Sequence, residues 1–252
     1  MIGLIRAEFR KLFTTQVWFW MLVTAVGLTV LGVVGQIAGT NSDSELQQHV
    51  RDVLTSASGA FTYVPLFVLG VLAVTTEYRY QTITPTVLTT PSRWKLITAK
   101  IVSYVVVGAL YALICLVVEL AIALPWLSSR NVEVSLADQR GPLVAVFLVL
   151  VLFALLGIGA GALLKNQIVA VTLGVILIVV LSNLILIIPV VKYAYPYLPT
   201  GLVSAIITSP TGERRFNDVE LLSATGGVIA LLVWGFGMAV VGAGLTMNRD
   251  IS

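Results

Sequence analysis

"LVAVFLVLVLFALLGIGAGALL", Leu143–Leu164, runs for 22 residues without a single polar side chain. A bilayer core of about 30 Å takes roughly 20 apolar residues of helix to cross, whereas a helix on a soluble core carries a polar face. This stretch therefore reads as a membrane span. Working outward, five more uncharged or nearly uncharged runs of similar length appear: Val17–Ala38, Ala57–Thr76, Ile101–Leu127, Ile168–Val191 and about Leu222–Met247. Backbone polar groups in lipid must be satisfied within the segment, which leaves helices or a closed barrel. A barrel would show short strands of alternating polarity, and none is present. The expectation is an all-α integral membrane protein: a single transmembrane domain over residues 1–252 with six transmembrane helices.

Composition agrees. Hydrophobic residues make up 58% of the chain and charged residues 11%, against about 25% charged in soluble domains, and the mean hydropathy is +1.00. The net charge of +3 is a sum over two faces and carries no implication of nucleic-acid binding. With six spans both termini share a side. Arg6, Arg10, Lys11, Arg79, Arg93, Lys95, Lys100, Lys165 and Arg249 fall on that side, against Arg51, Arg130, Arg140, Lys192, Arg214 and Arg215 on the other. Cationic residues stay on the cytoplasmic side, so the termini and the segment 77–100 are expected there. The first run is too long for a signal-peptide core and lacks a following small-residue cleavage pattern, so it is expected to be retained.

Ahead of the first span, "MIGLIRAEFRKLFTTQ" places Ile2, Ile5, Phe9, Leu12 and Phe13 on one helical stripe, with Arg6, Arg10 and Lys11 elsewhere. That pattern predicts an amphipathic helix lying in the inner interface, with Trp18 and Trp20 at the boundary level. On the other face, Ser42 and Glu45 form a capping-box pattern, and Leu46, Val50, Val53 and Leu54 share a stripe. A short amphipathic helix resting on the outer leaflet or on neighbouring spans follows.

Most candidate chemistry dissolves on inspection. The single histidine, His49, and single cysteine, Cys115, offer neither a metal cluster within one copy nor an intramolecular disulfide. "GIGAGA", Gly157–Ala162, matches the dinucleotide fingerprint literally, yet it lies within an apolar span and follows no strand. Gly157 and Gly161 read instead as a small-xxx-small face for close helix approach, and Gly235, Gly237, Gly242 and Gly244 invite the same reading. The chain contains no Gly-Lys dipeptide, so it has no P-loop and cannot hydrolyse ATP by that route. No catalytic, cofactor-binding or metal-binding residue is assigned, and no enzymatic activity is expected of the chain itself.

Glu119 is the ionisable residue deepest in a span, and such residues are functional candidates by default. Nineteen residues beyond Lys100 at about 1.5 Å each put it roughly 28 Å across, near the outer headgroups, where partial solvation is expected. Glu119 and Asn183, with Ser182 beside the latter, are the candidate pathway residues.

Between the second and third runs lies "EYRYQTITPTVLTTPSRWKLITAK", Glu77–Lys100, which mixes charge, proline and aromatics. Ser92 can cap a helix that runs straight into the third span, with Trp94 and Leu96 toward lipid or neighbours and Arg93, Lys95 and Lys100 toward water or another protein. By composition alone this is a basic loop obeying the positive-inside rule.

The order of Glu77, Arg79, the Thr82–Ile83 pair, Leu88, Pro91, Arg93 and Lys100 resembles the loop between the second and third spans in permeases of the ABC-2 type exporter family. "RAEFRKLFTTQVWFW" is similar to the basic, Trp-bearing interface helix that precedes the first span there, and the likeness extends over essentially the whole chain. Gln81 departs from the glycine that many relatives carry. The resemblance implies a half-size membrane subunit that pairs with a second copy or a sister permease and binds two ATP-binding cassette subunits. ATP and Mg would be held in those partners. It implies docking through Glu77, Arg79, Thr82, Pro91, Arg93 and Lys100, short re-entrant or surface helices over Tyr193–Ile207, and export of a drug-like, peptide or lipid substrate. A bacterial plasma membrane is the expected location. Two other readings stand beside it: a gradient-driven carrier using Glu119, and a non-transporting membrane anchor.

Overall fold

The computed structural model of the chain describes residues 1–40, 42–56, 61–80, 93–189, 191–208, 215–216 and 219–247. Helices account for most of them. In chain order they are α1 (Ile2–Phe13), α2 (Val17–Gly39), α3 (Asp43–Gln48), α4 (Val50–Leu54), α5 (Tyr63–Arg79), α6 (Arg93–Ser129), α7 (Arg140–Leu164), α8 (Gln167–Val175), α9 (Ser182–Ile185), α10 (Pro199–Ile207) and α11 (Ala224–Met247). A π-helical stretch, Ile176–Leu181, joins α8 to α9, and a 3-10 stretch, Val191–Tyr197, precedes α10. Strand structure among the described residues is one antiparallel pair, Arg215 opposite Glu220 and Phe216 opposite Val219.

Among the described residues, four helices are long and apolar enough to cross a membrane: Val17–Gly39, Lys95–Ser129, Arg140–Leu164 and Ala224–Gly242. The protein is thus all-α with membrane-compatible helices. The remaining two expected spans take other forms. Over the second, α5 begins at Tyr63 and continues to Arg79, past the expected end at Thr76; residues 57–60 lie outside the described set. Over the fifth, Ile168–Val191 is not one helix. The backbone widens into the π stretch, where the Ser182 hydroxyl donates to the Leu177 carbonyl at 2.7 Å, five residues back. Side-chain insertion of this kind interrupts the regular helical ladder.

α7, which carries the uninterrupted apolar run Leu143–Leu164, is the centre of the bundle, packed against α5, α6 and α11. Glycine permits this. A Cβ on Gly157 would lie 2.0 Å from the Phe67 carbonyl oxygen, and one on Gly70 would lie 2.1 Å from that of Ala154, so α5 and α7 touch backbone to backbone. On the other side a Cβ on Gly159 would meet the Gly235 oxygen at 2.3 Å, and one on Gly242 would meet the Ala162 carbonyl. The packing role expected of Gly157, Gly161, Gly235 and Gly242 holds. Gly237 and Gly244 have open space around them and take no part. Lys165 ends α7 in the left-handed conformation, φ 55°, and Asn166 caps α8 by accepting from the Val169 amide at 3.2 Å. Two residues therefore turn the chain back on itself.

The segment from Arg93 forms one continuous helix into the third span, α6, of 37 residues; at about 1.5 Å per residue this is some 55 Å, longer than the bilayer core. At one end α1 lies against it. At the other, α3 and α4 cover it. The Ser42 side chain accepts from the Glu45 amide, and Leu46, Val50, Val53 and Leu54 are all buried with Val33, Ile37, Ala123 and Leu127. The outer amphipathic stripe thus rests on neighbouring helices.

Candidate functional site

Glu8 and Lys11 stand one turn apart on α1, where i and i+3 side chains meet. Glu77 is in the last turn of α5, and Lys100 is two turns into α6. Their charged ends close a ring. Lys11 Nζ lies 2.8 Å from Glu8 Oε1 and 2.7 Å from Glu77 Oε1, while Lys100 Nζ lies 2.8 Å from Glu8 Oε2 and 2.7 Å from Glu77 Oε1. Lys100 also donates to the Ala73 carbonyl at 3.1 Å, so all three of its donors are used. The ring holds two cations and two anions and is neutral as a set.

Glu8 and Lys100 are each 6% exposed and Glu77 is 8% exposed. Burying such charges costs desolvation, and the attraction offsets it only where geometry and extra hydrogen bonds are good. Here every carboxylate faces two ammonium groups. Burial alone would push the Glu77 carboxyl up, but Lys100 and Lys11 outweigh it and hold it below the usual carboxylate range. Burial likewise depresses Lys11, yet its bonds to Glu77 and Glu8 win and raise it. The consequence is structural: three helices from distant parts of the chain are fastened at one point.

Beside the ring lies a cleft of about 480 Å³ between α1, the start of α2, α5, Tyr104 of α6 and Gln167 of α8. Arg79, exposed at its rim, donates to Gln167 Oε1 at 3.3 Å and lies over the Tyr80 ring.

The second polar locus is at the opposite end of α6. Glu119 is 0% exposed, which corrects the expectation of partial solvation. Ser56, just after α4, reaches the side chain instead of water: its Oγ donates to Glu119 Oε1 at 3.2 Å. On the same outer helices Gln47 and Glu133 exchange hydrogen bonds at 3.1 and 3.0 Å, and Arg51 donates to the Ile207 carbonyl. These bonds tie α3 to the segment after α6 and α4 to α10.

No protein-family model matches the chain, and no curated protein matches it.

The docking residues expected on the 77–100 segment separate into groups. Glu77 and Lys100 are buried in the ring, which corrects the expectation that Lys100 faces water or another protein: two carboxylates and a carbonyl replace its hydration. Arg79 and Lys95 are exposed. Arg93 begins α6, and Thr82 and Pro91 lie outside the described residues. Asn183 sits within α9, beside Ser182, whose hydroxyl is buried against the π stretch. Among the described residues no group of His, Cys, Asp and Glu gathers to hold a metal ion. Sequence reasoning missed Glu8. Its signal was a single acid within an otherwise basic helix, three residues before Lys11.

Proposed function

We propose that the chain is the membrane subunit of an ATP-driven exporter, with six spans, an N-terminal helix in the inner interface and both termini cytoplasmic in a bacterial plasma membrane. The second span is the run ending at Thr76 and the fifth is the interrupted helix from Ile168. Separate ATP-binding cassette subunits supply hydrolysis and dock on the 77–100 segment, and a second copy or a sister permease completes the pathway. One observation carries this reading. Glu77 and Lys100, the two ends of that segment, are 2.7 Å apart at their charged atoms, and both are bound to α1.

A segment whose two ends are fastened together does not absorb a push by spreading. A load applied between them passes to α5, α6 and α1 at once. From α5 it continues into α7, because those helices meet backbone to backbone and close-packed interiors transmit strain. Exposed Arg79 and Lys95, with Arg93, Thr82 and Pro91 between them in sequence, provide the surface for the motor. The ring itself stays inside as the fulcrum. The substrate class, drug-like, peptide or lipid, follows from the resemblance alone.

The test is purification of the full chain from its native membrane in mild detergent, followed by mass spectrometry of what remains bound. A stoichiometric P-loop ATPase that is lost in Arg93→Glu/Lys95→Glu, with the chain still inserted, supports the reading. Its reproducible absence overturns it. Transport that then collapses with the proton gradient and in Glu119→Gln assigns the chain to gradient-driven carriers instead.

A further inference from the structure

We infer that the cleft beside the ionic ring is a binding site for one anionic phospholipid, with the headgroup phosphodiester on Arg79 and Lys11 and the acyl chains over the apolar wall. The wall is built from Leu12, Leu69, Leu72 and Ala73. A water-soluble anion has no use for such a surface. An amphiphile does.

Charge sets the headgroup. With Lys100, buried behind the lining, counted against Glu8 and Glu77, the four ring residues cancel, which leaves Arg79 as the uncompensated cation at the rim. No carboxylate pairs with it among the described residues; its hydrogen-bond partner is the neutral Gln167 at 3.3 Å. A guanidinium has five N–H donors and an ammonium three, and Lys11 has given two of its own to Glu8 and Glu77. Donors therefore remain on both cations at the rim, and Lys11 is 46% exposed at its side chain. A net charge of one suits a phosphodiester, which carries one negative charge, and guanidinium groups match phosphate oxygens bidentately. Depth agrees. Val17, the first residue of the membrane-compatible helix α2, lines the same cleft, which puts the rim at the level where headgroups begin.

The inference requires the protein to sit in a membrane and needs no ATPase partner; Arg79 also belongs to the proposed motor surface, so lipid binding is read on the chain without the ATPase, where failure of the docking reading leaves it untouched. Native mass spectrometry of the full chain in mild detergent tests it, with phosphatidylglycerol titrated against phosphatidylcholine and inorganic phosphate. One saturable phosphatidylglycerol adduct is expected, favoured over phosphatidylcholine, and weakened about tenfold in Arg79→Gln, the loss of one charge-assisted hydrogen bond. Arg79→Lys should recover part of the affinity, while Lys192→Gln, a cation outside this cleft, should leave it unchanged. Equal binding of the two lipids, an Arg79→Gln affinity equal to wild type, or displacement of the lipid by inorganic phosphate at equal concentration would each overturn the assignment.

Discussion

Glu8 and Lys100 are 92 residues apart in sequence and 2.8 Å apart at their charged atoms, both almost wholly withdrawn from solvent. Their contact converts a helix that composition alone would leave on the membrane surface into a fixed part of the bundle. Leu12, one turn further along α1, is buried by the same docking, while Ile2 stays exposed.

Breaking this pair from one side leaves a buried charge short of a partner, which costs about 3–5 kcal/mol. Glu8→Leu and Lys100→Met should each lower the unfolding free energy of the full chain in detergent by that order, with a matching fall in the thermal midpoint. The double variant leaves Lys11 and Glu77 as a balanced pair and should be less destabilised than the sum, by more than about 1 kcal/mol. Strict additivity would show that the two residues do not interact.

The ring also sets a pH window. Glu77 has a lowered pKa, so its contribution is fully present above the ordinary carboxylate value and is lost as pH falls through the lower folded one. Lys11 has a raised pKa, so its contribution is present below the ordinary lysine value and is lost as pH rises through the higher folded one. Stability from the ring should therefore be flat through neutral pH and fall on both sides. In Glu77→Gln the acid-side dependence should shrink, as read from unfolding midpoints against pH.

Two glycines in the bundle make opposite predictions. A methyl at Gly157 would have to displace the Phe67 carbonyl, 2.0 Å away, so Gly157→Ala should destabilise by about 1–3 kcal/mol through overpacking. Gly237 has nothing within 4 Å of such a methyl, so Gly237→Ala should be neutral to slightly stabilising. Equal midpoints for the two variants would contradict the α5–α7 contact.

Orientation is open to cysteine labelling. With Cys115 replaced by serine, Arg6→Cys should react with an impermeant maleimide only after permeabilisation, whereas Ser44→Cys and Ser135→Cys should react in intact cells. In the unaltered chain Cys115, 0% exposed, should label only on denaturation. Reaction of Arg6→Cys and Ser44→Cys from the same side would end the proposed topology.

The sequence determined the class of this protein and most of its helices, because the bilayer's demands are local. A run such as Leu143–Leu164 must be helical to satisfy its own backbone, and Gly157 and Gly161 advertise close approach by lacking side chains. Local periodicity likewise located the outer helix and its stripe from Leu46 to Leu54. Tertiary structure alone decided which charges are inside. Lys100 looked like an interface cation because its carboxylate partners lie on α1 and α5, and pairings over such separations leave no periodic trace. Glu119 looked half-solvated because the segment that covers it comes from residues near Ser56. The interruption of the fifth apolar run goes with the Ser182 hydroxyl bonding back to the Leu177 carbonyl, a contact that hydropathy does not record.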